Sequence, residues 1–234
     1  MSPSPSVAES CAPFLPSPRA ESRSRRRELE ARLLEFGPST LDDIDCLELL
    51  CGLDAAAAAA LLAAFGSLPE VMGAAAADLT RVAGPHAAAR VKLAQELSCR
   101  QLQRPLRQRE VLSSSSALDS YLRATLVGAP REQLRVLFLD KRNRLIADEA
   151  MADGTVDHAP VYPREVMRRA LELNASALFL CHNHPGGDPT PSSADIDMTR
   201  LVIEAGRSLR VTVHDHVIVG GQATASLRAL GLVS

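Results

Sequence analysis

The run SALFLCH, from Ser176 to His182, constrains the fold of this chain more than any other feature. A short and nearly continuous apolar run is typical of a strand that is buried on both faces in the middle of a sheet. Amphipathic helical patterns stand on either side of it, one opened by Pro163 and the other spanning residues 191–209. A buried strand between helices needs covering layers, so the C-terminal half is predicted to be a layered α/β domain.

Three further segments predict the rest of the sheet. QLRVLFLD and RLIADEA are typical of two strands joined by a KRN turn, and RVTVHDHVIVGG is typical of another strand. A helical pattern, ALDSYLRATLVG, precedes the first of these strands. Residues 117–234 are therefore predicted to form one domain.

The N-terminal part carries helical patterns and needs no strand. The helical stretch runs from Arg25 to about Leu102, and a break at Gly84-Pro85 predicts two helices joined by a hairpin. Glycines also fall where earlier helices should end: Gly37, Gly52 and Gly66. We assign residues 25–105 to a helical domain.

Two segments are predicted to lie outside the domains. Residues 1–24 are rich in proline and serine and cannot bury enough apolar surface to offset their ordering entropy, so they are expected to be disordered. Residues 106–116 combine arginines with four consecutive serines and are expected to be a linker.

Composition limits the compartment and the partners. The net charge of −2 provides no basic field that would attract nucleic acid, and no apolar run approaches the ~18 residues of a membrane span. The five cysteines are odd in number and contain no CxxC pair, which favours reduced thiols. A cytoplasmic protein is expected, and its oligomeric state is not indicated.

The residues that follow the apolar run carry the candidate chemistry. His182 and His184 are two positions apart at the end of the predicted strand, so their side chains share one face, whereas Cys181 and Asn183 point to the other. A loop rich in glycine and proline then leads to Asp195 in the first turn of the next helix. Two imidazoles, a carboxylate and a water molecule are the ligands of a catalytic zinc ion.

The same residues also fit an interpretation without chemistry. Thr190-Pro191 suits the start of a helix, and Ser192 with Asp195 suits an ordinary capping box. The two histidines could simply form hydrogen bonds at the end of the strand. The local spacing leaves both interpretations open.

The full spacing resembles a known family motif. H-x-H, seven residues, Ser192, two residues and Asp195 matches the JAMM (MPN+) metallopeptidase motif at every defined position. Segments such as VLFLDKRNRLIADE and DHVIVGG resemble the RadC branch of that superfamily, densely over residues 110–234 and weakly before them. The family commonly has serine where this chain has Gly186, a departure that removes no ligand. The resemblance implies an α/β fold with a JAMM/MPN-like mixed sheet flanked by helices, preceded by a small all-helical domain that resembles a helix-hairpin-helix module.

The resemblance also implies roles for individual residues. The zinc (Zn2+) ligands would be His182, His184 and Asp195. Ser192 would position the oxyanion of the tetrahedral intermediate. The general base of the superfamily is a glutamate at the start of the first strand; Glu132 matches that place, and Glu149, near another strand end, is the alternative.

Other histidines and a tyrosine are weaker candidates. His214 and His216 form a second H-x-H but lack a following acid at the right spacing, so they are expected to be structural, with His216 able to line the site from a neighbouring strand. His158 and Tyr162 either contact substrate or pack before the helix that follows them.

Two functions of different classes follow from these expectations. The first is a zinc-dependent hydrolase of peptide or isopeptide bonds, acting on an unidentified peptide or protein. The alternative is a DNA-associated accessory protein whose metal site is structural or vestigial. His86 replaces the second glycine of a helix-hairpin-helix and Pro85 has no N–H to donate, so only weak binding to nucleic acid is expected.

Overall fold

The computed structural model describes residues 18–111, 115–153, 162–221 and 223–234. Over these ranges the chain forms eight α-helices, a short 3-10 helix and five strands. The helices are α1 (Pro18–Phe36), α2 (Asp43–Cys51), α3 (Ala55–Phe65), α4 (Leu68–Gly73), α5 (Ala76–Gln108), α6 (Ser115–Leu126), α7 (Pro163–Glu172) and α8 (Ser193–Leu209). The strands are β1 (Gln133–Leu139), β2 (Leu145–Asp153), β3 (Ala177–His184), β4 (Thr212–Gly220) and β5 (Ala223–Ser226).

The five strands form one mixed sheet in the order β2-β1-β3-β4-β5. Strand β1 runs antiparallel to both β2 and β3, β3 runs parallel to β4, and β5 closes the edge antiparallel to β4. Every residue of β3 except His184 is buried. The central strand and the α/β architecture predicted from the apolar run are therefore confirmed.

Different helices cover the two faces of the sheet. On one face Phe179 and Cys181 pack against α6 and the end of α5. On the other face Leu178 and Leu180 pack against α7 and α8. Since side chains alternate along a strand, His182 lies on the face that α8 covers.

The N-terminal helices have a core of their own. Leu47, Leu61, Val71 and Val91, from four different helices, are fully buried together. Within α5, Gly84 has φ 82° and ψ 166°, a backbone conformation that L-residues other than glycine avoid, and it breaks the helix in two. The predicted hairpin of two helices at Gly84-Pro85 is confirmed.

The segment predicted to be a linker differs from that expectation. Helix α5 continues to Gln108, and Leu106 and Val111 are fully buried in the core beneath α6. The backbone N–H of Val111 also donates to the carbonyl of Asn143 at 2.8 Å. The arginines of this segment suggested a solvated connection, but its two apolar residues anchor it to the α/β part.

Other boundaries differ by a few residues. Helix α1 begins at Pro18, inside the stretch 1–24 that was predicted to be disordered, and residues 1–17 lie outside the described ranges. The sequence patterns did not predict α4 or β5 as separate elements, because six residues of helix and four of strand are too short to show a clear periodicity.

No single helix in the described ranges is long and apolar enough to cross a membrane. Helices α2 and α3 are long and apolar enough only when taken together, and the chain bends by 114° between them.

Candidate metal centre

Two histidines at the end of β3 form the middle of the site. The Nε2 atoms of His182 and His184 lie 2.9 Å apart, as expected for side chains that share one face of a strand. The Nδ1 atom of His184 lies 2.7 Å from the carbonyl oxygen of Asp188. Because a carbonyl oxygen can only accept, this contact puts the proton of a neutral His184 on Nδ1 and leaves the lone pair on Nε2.

The loop after β3 is pressed against the end of β4. A Cβ atom on Gly220 would lie 2.4 Å from the backbone nitrogen of Pro189, so only glycine fits there. The close approach fixes the loop that contains Asp188 and, through it, the ring of His184. Gly186 lies in the same loop, and no atom lies within 4 Å of the position of a Cβ there, so a side chain would meet open space.

Asp195 enters the site from the first turn of α8, where it also belongs to a capping box. Its Oδ2 atom accepts hydrogen bonds from the backbone N–H of Ser192 at 2.8 Å and from the Ser192 hydroxyl at 2.6 Å. Its Oδ1 atom lies 3.3 Å from Nε2 of His182. The two interpretations that the spacing left open are thus compatible, since one carboxylate caps the helix with one oxygen and faces an imidazole with the other.

Glu132 approaches from the residue immediately before β1. Its Oε1 atom lies 3.7 Å from Nε2 of His182, and its side chain is largely buried. One ligand atom from each of four residues falls within 4.8 Å of the others: Glu132, His182, His184 and Asp195. These residues come from three separate parts of the chain, and the spacing is suited to holding a metal ion.

Asn183 was not predicted to take part, yet it holds the backbone around Glu132. Its side-chain amide donates to the carbonyls of Ala129 at 3.3 Å and Arg131 at 3.0 Å. Its carbonyl oxygen accepts from the backbone N–H of Gln133 at 2.9 Å. A buried asparagine on the apolar face of a central strand was the sequence signal that could have identified it.

A chain of buried hydrogen bonds continues behind His182. Its Nδ1 atom lies 2.8 Å from Nε2 of His216 on β4. The Nδ1 atom of His216 lies 2.6 Å from the hydroxyl of Thr199 on α8, and that hydroxyl donates to the carbonyl of Asp195 at 2.5 Å. His216 is therefore not one of the clustered ligands, but it contacts His182 directly and the backbone of Asp195 through Thr199.

Burial controls the charge of this cluster. It lowers the pKa of His182 to about 4 and that of His216 to about 3, although the carboxylate of Asp195 opposes both shifts. Burial alone would raise the pKa of Asp195, but hydrogen bonds from Ser192 and the nearby His182 outweigh it and lower that pKa overall. At neutral pH His182 is thus neutral beside the ionised carboxylate of Asp195, and these are the protonation states that a metal ion requires.

The alternative candidates lie elsewhere. The carboxylate of Glu149 pairs with Arg169 at 2.6 and 2.7 Å, and this hydrogen-bonded pair lowers the pKa of Glu149. The Nε2 atom of His214 contacts the side chain of Asn143 in the turn between β1 and β2. Tyr162 is exposed beside the guanidinium of Arg164 at the start of α7. His158 lies outside the described residues.

One comparison with known proteins bears on this site. Residues 112–232, just over half of the chain, match the family model of the RadC-like JAB domain. The match contains the whole five-stranded sheet and all four residues of the ligand cluster. It begins after the N-terminal helices α1–α5.

Proposed function

The chain belongs to the RadC-like JAB domain family, and from this premise we propose that it is a zinc-dependent hydrolase of peptide or isopeptide bonds. The observation that carries the proposal is the convergence of two imidazole Nε2 atoms, 2.9 Å apart, on the carboxylates of Asp195 and Glu132. Two lone pairs at that distance repel each other unless a cation or a proton lies between them.

The donor set fits zinc. Imidazole nitrogens together with a single carboxylate are ligands that zinc accepts in catalytic sites, where a further position stays open to water. In this chain the ion would be held by His182, His184 and Asp195. Bound zinc would polarise a carbonyl group and lower the pKa of a water molecule to about 7.

Glu132 is the proposed general base. Its carboxylate lies 3.7 Å from Nε2 of His182, which is within reach of a water molecule beside the ligands. It would accept a proton from the attacking water and return it to the departing amine. Asn183 holds the backbone on both sides of Glu132, so this carboxylate is positioned before substrate arrives.

Ser192 is the proposed donor to the oxyanion. Its hydroxyl proton is engaged with Oδ2 of Asp195, so this role requires the hydroxyl to turn toward substrate. The backbone N–H of Ser192 holds the same Oδ2 atom independently at 2.8 Å. The carboxylate of Asp195 would thus stay in place while the hydroxyl turns.

Replacing Glu132 with glutamine tests this function. The change keeps the shape of the side chain but removes its basicity, so hydrolysis of a library of peptides and isopeptides should fall about a hundredfold or more while zinc is retained. Glu149→Gln is the matched control, because Glu149 pairs with Arg169 and should leave both rate and zinc unchanged. A fully active Glu132→Gln protein would contradict the assignment of the base.

A further inference from the structure

We propose that Thr199 and His216 are positioning residues, which hold the proton of His182 on Nδ1 and so make Nε2 its metal-binding atom. The inference rests on the proposed function, because it assigns these residues a purpose in binding zinc. It concerns the side of His182 that faces away from the ligand cluster. Neither residue belongs to the ligand cluster.

The direction of the hydrogen bonds is set at the Thr199 end. The hydroxyl oxygen of Thr199 lies 2.5 Å from the carbonyl oxygen of Asp195, and a carbonyl can only accept. If the hydroxyl proton pointed to His216 instead, two oxygen atoms would face each other at that distance with no proton between them. The Thr199 hydroxyl therefore donates to the carbonyl and has only lone pairs left for His216.

The remaining two contacts follow from the first. The Nδ1 atom of His216 lies 2.6 Å from the Thr199 oxygen and must carry the proton of that contact. A neutral imidazole has one proton, so Nε2 of His216 is an acceptor. It lies 2.8 Å from Nδ1 of His182, which then carries the second proton and leaves Nε2 of His182 with its lone pair toward the cluster.

The three side chains His182, His216 and Thr199 form a hydrogen-bond relay, and burial prevents water from replacing any of them. Thr199 and His216 are 0% exposed and His182 is 1% exposed. In such a place an unpaired donor or acceptor is destabilising, because no water molecule can replace the lost partner. Without the relay the carboxylates of Asp195 and Glu132 would favour a proton on Nε2 of His182, and that proton would block a metal ion.

The relay also joins the two ligand-bearing elements. It begins at His182 on β3, crosses His216 on β4 and ends on the backbone of Asp195 in α8. The two proposed ligands His182 and Asp195 are therefore connected by hydrogen bonds on the side that faces away from the cluster. A shift of α8 would change the tautomer as well as the ligand distances.

Thr199→Val is the decisive variant and Thr199→Ser its control. Valine has the shape of threonine but no hydroxyl, whereas serine keeps the hydroxyl. We expect Thr199→Val to weaken zinc binding, measured by competition with a chelator, by about 10- to 100-fold, as is typical for partners of metal-binding histidines. Thr199→Ser should stay within a few fold of the natural protein, and thermal unfolding should show that both variants are folded.

The proton itself can be located without metal. Long-range proton–nitrogen NMR correlations of the metal-free protein should show the proton on Nδ1 in both His182 and His216. A proton on Nε2 of His182, or equal zinc affinities in folded Thr199→Val and Thr199→Ser, would overturn the inference. If NMR finds the proton of His182 on Nδ1 but the protein binds no zinc, only the proposed function is contradicted. The proton is located without metal, so that result stands by itself.

If Thr199→Val does not fold, His216 supplies a second pair of variants. In His216→Gln the amide oxygen can accept from Nδ1 of His182, whereas His216→Leu offers no acceptor. We expect zinc affinity to be largely kept in the glutamine variant and lost in the leucine variant. Equal affinities in this pair would also overturn the inference.

Discussion

At the scale of single residues, several side chains of this site serve two purposes. Asp195 caps α8 with one oxygen and faces His182 with the other, while Ser192 supplies the cap and is the proposed donor to the oxyanion. The pattern of the sequence could name these residues because helix capping and metal ligation both require fixed spacings. It could not find Thr199, which bonds the backbone of its own helix and a histidine from a distant strand.

The depressed pKa values of two histidines predict how stability depends on pH. Unfolded histidines titrate near pH 6.5, whereas His182 and His216 in the folded protein titrate near 4 and 3. Below pH 6.5 the unfolded state thus binds more protons, so the free energy of unfolding of the metal-free protein should fall with decreasing pH. Both histidines contribute to this dependence between pH 6.5 and their folded pKa values, and neither contributes above pH 6.5.

Urea unfolding of the metal-free protein between pH 7 and 5 measures this dependence. His216→Gln removes one of the histidines whose pKa is lowered, so the dependence of unfolding free energy on pH should become weaker. If the unfolding free energies of the natural protein and the variant had the same slope against pH, His216 would not be held neutral by burial.

At the scale of elements, the site depends on how strand ends, loops and a helix start meet. The sequence predicted β3, α8 and the turn between them, because an apolar run and capping residues are local signals. It could not predict that Asn183 holds the backbone before β1, since the residues in this contact are about 50 positions apart. It also placed Leu106 and Val111 in a linker, because burial by a distant sheet leaves no local pattern.

Asn183→Ala tests whether that contact positions Glu132. Loss of the amide frees the backbone on both sides of Glu132, so the rate of hydrolysis should fall by about tenfold or more, as misplacement of a catalytic group does. Zinc content should be unchanged, because the three proposed ligands do not depend on that loop. His214→Ala is the control, because it also removes a hydrogen bond between a strand and a turn. That hydrogen bond is made to Asn143 and not to the backbone beside Glu132. A rate that falls equally in both variants would indicate a general loss of structure instead.

At the scale of the whole molecule, the N-terminal helices meet the α/β part through backbone contact. A Cβ atom on Gly73 of α4 would lie 1.8 Å from the carbonyl oxygen of Val127, just after α6. The segment around Leu106 is buried in the core of the α/β part as well. The sequence patterns differ between the two parts, but they carry no information about this close approach.

Gly73→Ala tests the importance of that contact. Because the added methyl group meets backbone and no flexible side chain can yield, the free energy of unfolding should fall by about 1–3 kcal/mol. Gly186→Ala is the matched control, since no atom lies within 4 Å of its Cβ position. Equal stability of the two variants in urea unfolding would show that α4 and α6 can separate without cost.

The measurement that tests the account most directly is the zinc content of the purified protein and two histidine variants. The natural protein should carry close to one zinc ion per chain, as measured by elemental analysis after removal of loosely bound metal. His182→Ala should carry almost none, because too few ligands remain for tight binding, whereas His214→Ala should be loaded like the natural protein. Equal zinc content in all three proteins, or none in the natural one, would contradict the proposed metal centre.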